Sequence, residues 1–97
     1  MCIMQIMQYT WDEVKRLANL KKHRMDFADA EMVFEGMTLT YEDDRFAYNE
    51  QRFITIGLLH GVFVVIAHTE IEDVTRIFSM RKATNYERKT FVQAFGD

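Results

Sequence analysis

The 97-residue chain contains no proline, only four glycines and a single cysteine. Without proline, and with so little glycine, it has no composition for a flexible linker, so one domain over residues 1–97 is expected. The lone Cys2 excludes an intrachain disulfide and fits a reducing, cytoplasmic setting. The N-terminal residues lack the basic start and apolar stretch of a signal peptide. The longest apolar run, 62–67, is far too short to cross a bilayer. An excess of positive charge is missing too: the formal net charge is −3 and the pI is near 5.6. Any nucleic-acid role must therefore rest on a local patch. There is no Gly-rich phosphate loop and no G-x-S-x-G, and the three histidines and one cysteine show no metal-ligand spacing. Dinucleotide- and ATP-dependent enzymes are therefore not expected.

What is present is a chain that is 48% apolar and 13% aromatic, enough for a modest core. Residues 3–10 are expected to form a short strand. Thr10 or Asp12 is placed to cap a helix over about 12–23, in which Val14, Leu17 and Ala18, with Met25 beyond, follow 3.6-residue spacing and predict the buried face. Asp26 is placed to cap a second helix carrying Phe27, Ala30, Met32, Val33 and Phe34, with Gly36 as its stop. The short connection predicts that the two helices pack as neighbours. Residues 37–41, 52–59, 62–71 and 74–80 read as strands, with His60-Gly61 and Glu72-Asp73 as turns. The third of these is apolar on both faces and should be central. A last helix follows over about 84–95, with Thr84 and Glu87 in capping-box spacing. The fold class is α+β: two helices, an antiparallel meander and a terminal helix.

Charge is concentrated at one strand-to-helix junction. Residues 79–89, SMRKATNYERK, hold four of the twelve Lys and Arg residues. The turn at 72–73 brings His68 and Glu70 near Arg76, and hairpin register decides which arginine shares a face with His68. Arginine and lysine can stabilise the charge of a phosphorane-like transition state, and histidine or glutamate can carry protons to and from the RNA oxygens. The same residues also fit plainer roles: a structural or exposed histidine, a Glu70–Arg76 cross-strand pair and a solvated helix start. Lys15, Arg16, Lys21 and Lys22 read as a solvated helix face.

Trp11-Asp12, Lys15, Asn19 and Lys22-His23 resemble the opening of the BrnT family, W-D-x-x-K-x-x-x-N-x-x-K-H. Phe27, Ala30 and Phe34 are similar to the F-x-x-A-x-x-x-F that follows. Glu50, Arg52, Phe53 and Gly57 resemble its E-x-R-F-x-x-x-G, His68-Thr69-Glu70 its H-T-E, and Arg76 with residues 79–84 its R-I-I-S-A-R-K-A-T. The resemblance covers about residues 9–91. It implies a fold similar to RelE-like toxins and a ribonuclease toxin that needs no metal or cofactor. It also implies a BrnA-like antitoxin with a ribbon-helix-helix DNA-binding domain, and a complex that represses its own operon. In that frame His68, Glu70, Arg76 and Arg81 are the catalytic candidates. Lys22, His23, Arg52, Lys82 and Arg88 are the RNA-binding ones. Met80 and Phe78 depart from the family's alanine and isoleucine. Both are apolar swaps that the fold can absorb. The acidic balance and the acidic stretch 41–50 leave a second reading open, an inactive relative that only binds its partner.

Overall fold

The computed structural model describes residues 8–44 and 50–96. Five strands form one sheet: β1 (Gln8–Trp11), β2 (Leu39–Glu42), β3 (Phe53–Leu59), β4 (Val62–Ile71) and β5 (Val74–Lys82), in the order β1-β5-β4-β3-β2. The four later strands run antiparallel, and β1 lies parallel against β5. The expected first strand is described only from Gln8 onward. The helices are α1 (Glu13–His23), α2 (Ala30–Glu35, entered through a single 3₁₀ turn, Phe27–Asp29) and α3 (Asn85–Phe95). Each starts or turns where the sequence provides an acceptor. Asp12 takes the Val14 N–H, and Asp26 takes the Ala28 N–H. Thr84 and Glu87 close a reciprocal capping box. Both two-residue turns, His60-Gly61 and Glu72-Asp73, have positive φ throughout, as tight hairpins with right-twisted strands require.

The central β4 buries both of its faces. On one face Val64 and Ile66, with Ile77 and Met80 of β5, pack against Met25, Phe27, Ala30 and Val33. On the other, Val65 joins Ile54, Ile56 and Phe91 of α3. Each such aliphatic or aromatic side chain contributes about 1.5–3 kcal/mol on burial. Gly57 lets α2 approach β3, since a Cβ there would lie 2.6 Å from Val33 Cγ1.

The two N-terminal helices dock mainly on the sheet, α1 on β5 and α2 on β3, rather than on each other. α1 is also turned the opposite way from its apolar pattern. Val14 is 76% exposed and Leu17 52%, Ala18 is exposed, and the buried residue of the helix is Asn19. The cause lies at the sheet edge. β1 ends at Trp11, opposite Ile77, so β5 runs on with an unpaired edge. There the Asn19 amide donates to the Met80 carbonyl (2.8 Å) and accepts from the Met80 N–H (3.2 Å). It also donates to the Met25 carbonyl at 3.0 Å. A side-chain amide thus continues the ladder that β1 leaves off. Satisfying buried backbone groups outweighs burying two aliphatic side chains in setting the helix's rotation.

Candidate active site

The β4–β5 register separates the histidine from the arginines. His68 lies opposite Ile77 and Thr69 opposite Arg76, with an irregularity at Ala67/His68. Between Ile77 and Met80, both buried on the α1 and α2 side, β5 carries the two residues Phe78 and Ser79 against the single Ala67. This bulge turns Phe78 toward the opposite face, the one that Arg76 shares.

His68 is completely buried. Its Nε2 is 2.7 Å from Thr55 Oγ1, and its ring is flanked edge-on by Phe34 and face-on by Phe53. It belongs to the core and has no surface to offer an RNA phosphate. Burial pushes its pKa down to about 4, and a Thr69 backbone contact opposes the shift. An unfolded chain would bind a proton at this residue near pH 6.5 and the folded chain would not. The stability from this residue is therefore complete above pH 6.5 and is lost as pH falls toward 4, by about 3 kcal/mol in total. Denaturant titrations at pH 7.5 and 4.5 should differ by an amount of this order, and His68→Gln should flatten the difference. Glu87, held at about 2 chiefly by its bond to Arg81, keeps its contribution above about pH 4.5 and loses it as pH falls from there toward 2.

Glu70 is on the His68 side, with its Oε1 3.9 Å from His68 Nδ1. Its surroundings are acidic. Burial and then the charges of Glu31, Glu35 and Glu70 together raise the Tyr9 pKa. A phosphate would be repelled there.

Arg81 is committed to α3. Its Nη1 and Nη2 donate to Glu87 Oε1 and Oε2, both at 2.8 Å, and Glu87 is the residue that closes the α3 capping box. This bidentate pair fixes the strand-to-helix junction, so one of the junction's four cations has a structural partner. The other three flank an open groove beside Phe63. Arg88 lies over the Phe63 ring at 5.5 Å, and Arg88 and Lys89 line a space of about 410 Å³ with Asn85 and Val92. Lys82 lines the adjoining space of about 300 Å³. Lys22 and His23 are in the last turn of α1, where positive charge complements the helix dipole. The acidic stretch lies partly outside the described residues. Of its described residues, 41–44 border the Arg81–Glu87 pair and Glu50 lies beside Arg52.

A second cationic cluster forms around Phe78. The Arg52 guanidinium is 4.3 Å from the centre of that ring and Lys15 Nζ is 5.3 Å from it. Glu50 Oε1 is 3.9 Å from Arg52 Nη2. Arg76 is exposed on the same face, with no ion pair among the described residues. The cluster draws on α1, the segment just before β3, and β5, so only the tertiary fold brings it together. Lys15, expected on a solvated helix face, and Phe78, expected as a mere apolar swap, meet here. The signal for both was the chain's similarity to W-D-x-x-K and the place of Phe78 two residues after Arg76. Among the described residues, no three His, Cys, Asp or Glu side chains gather as a metal site.

The family model for the ribonuclease toxin BrnT of type II toxin–antitoxin systems matches residues 11–87. The chain belongs to the BrnT family. The crystal structure of the Brucella abortus ribonuclease toxin BrnT superimposes with a TM-score of 0.61 at 27% identity, over 82% of this chain and 100% of that one. No curated protein matches by sequence. The BrnT match includes Lys15, Glu50, Arg52, Arg76 and Phe78, and ends before Arg88 and Lys89 of the Phe63 groove. No helix among the described residues is long and apolar enough to cross a membrane.

Proposed function

We propose that this BrnT-family chain cleaves RNA at the Phe78 cluster. The observation that carries the reading is that Lys15 and Arg52, from separate elements, converge on one aromatic ring on the face that also carries Arg76. Cations held over a ring are partly desolvated, and their field acts more strongly on a phosphate than it would in water. In the reaction we envisage, the ribose 2′-oxygen attacks the adjacent phosphorus as the bond to the 5′-oxygen breaks. Arg52 and Arg76 hold the non-bridging oxygens. Glu50 takes the 2′-hydroxyl proton, and the Lys15 ammonium gives one to the leaving 5′-oxygen. His68 and Arg81 leave the catalytic set: one is core and the other clamps α3. Glu70, among carboxylates, leaves it as well. Lys82 and Arg88 serve as RNA contacts along the Phe63 groove, and Lys22, next to His23, adds positive charge at the end of α1.

The chemistry proposed needs no metal, and cleavage of a single-stranded RNA by the purified chain should persist unchanged in EDTA. In the cell the chain would act in the cytoplasm and slow translation and growth. A BrnA-like antitoxin with a ribbon-helix-helix domain would neutralise it and repress the shared operon with it. Tightly induced expression of the chain alone, with total RNA followed over time, tests this. Growth arrest with RNA decay, relieved by the product of the adjacent gene, is expected. Normal growth with soluble, folded protein would point instead to a partner-binding relative without catalysis.

A further inference from the structure

The outer face of α1 is apolar and has no cover among the described residues. Val14, Leu17 and Ala18 lie at i, i+3 and i+4 on the side opposite the buried Asn19, and Leu20 beside them is 38% exposed. The geometry explains why they face outward but leaves about three aliphatic side chains in water, a contiguous strip of the kind that marks a partner surface. The strip is bordered by cations. Lys15 and Lys22 flank it, Lys21 continues it at i+7 from Val14, and Arg24 follows at the cap. The acidic Glu13 on this helix is bound by Arg16, at 2.7 Å. A second copy of α1 would bring like charges together, whereas an acidic amphipathic segment would meet both features.

We propose that this strip seats an acidic amphipathic segment of the antitoxin, a reading that rests on the toxin–antitoxin function above. Lys15 links the strip to the Phe78 ring. An occupant whose carboxylates reach Lys15 would take the place of an RNA phosphate, so docking and inhibition would share one residue.

The test uses the purified full chain and the purified product of the adjacent gene, with affinity read by calorimetry and cleavage by an RNA oligonucleotide assay. Leu17→Glu keeps a good helix former at an exposed position. It should weaken binding at least ~100-fold while cleavage stays within about twofold of the parent. Tyr86→Glu, at an exposed position of α3, should leave binding within about twofold. Lys21→Glu should weaken binding, and more so at low salt. If the parent binds and Leu17→Glu binds equally well, the surface assignment is wrong and the antitoxin reading stands. If the parent does not bind, the antitoxin reading falls and the surface falls with it. If the parent is a dimer in solution and Leu17→Glu is a monomer, the strip is a self-interface and the proposal is overturned.

Discussion

Arg76→Ala should lower single-turnover RNA cleavage by about 10²–10³-fold, the cost of removing one preorganised group that stabilises transition-state charge. Its folding stability should move by less than about 0.5 kcal/mol, because Arg76 is exposed and has no ion pair among the described residues. Arg52→Met should cost cleavage a similar factor. It keeps an apolar stem against Phe78 and removes the charge, so loss of rate is separated from loss of packing. Arg81→Ala provides the contrast. It takes both hydrogen bonds from Glu87 and loosens the start of α3, so its cost is in stability, roughly 1–3 kcal/mol. Glu87→Gln should reproduce that cost. Arg81→Ala and Glu87→Gln proteins that cleave RNA at parental rates below their melting temperatures would confirm the clamp. A catalytic loss in Arg81→Ala alone would restore it to the site. Arg76→Ala and Arg52→Met that cleave as the parent does would move the chemistry away from Phe78.

Asn19→Ala should destabilise the protein by about 3 kcal/mol, because the Met80 N–H, the Met80 carbonyl and the Met25 carbonyl all lose their partner at a buried site. For a domain of this size that lowers the midpoint of thermal unfolding by roughly 10–20 °C. Asn19→Asp is the sharper probe. It preserves the shape and the acceptor for Met80 N–H, but it sets a carboxylate oxygen against two carbonyl oxygens. It should be at least as damaging as alanine above pH 6 and should recover partly as the carboxyl is protonated. A thermal scan of the three proteins at pH 7 and pH 5 decides it. If both variants melted within a few degrees of the parent, the rotation of α1 would have another cause.

The elements themselves were legible because they rest on short-range chemistry. Thr84 with Glu87, Asp12 and Asp26 each satisfy helix N–H groups two or three residues away, so their role is written in local spacing. The turns at 60–61 and 72–73 are likewise two-residue problems, and residues 62–71 announce a central strand by being apolar on both faces. The family is also a property of the sequence, carried by the order of many weak motifs across residues 11–87.

The site was not local, and tertiary structure rearranged it. The neighbours Thr69 and His68 fall on opposite faces. Register and the bulge before Met80 therefore decide that His68 enters the core while Arg76 and Phe78 share the other face. Four cations in eleven residues looked like one patch, yet Arg81 is bound to Glu87 while Lys82, Arg88 and Lys89 surround Phe63. Periodicity marked Val14 and Leu17 as core, and an unpaired strand edge, visible only once β1 is seen to end at Trp11, turned them outward. Sequence by itself determined where helices, strands and turns begin and to which family the chain belongs. Which charges meet, and which apolar face is left for a partner, was decided by long-range strand pairing and by the buried backbone groups that it leaves to be satisfied.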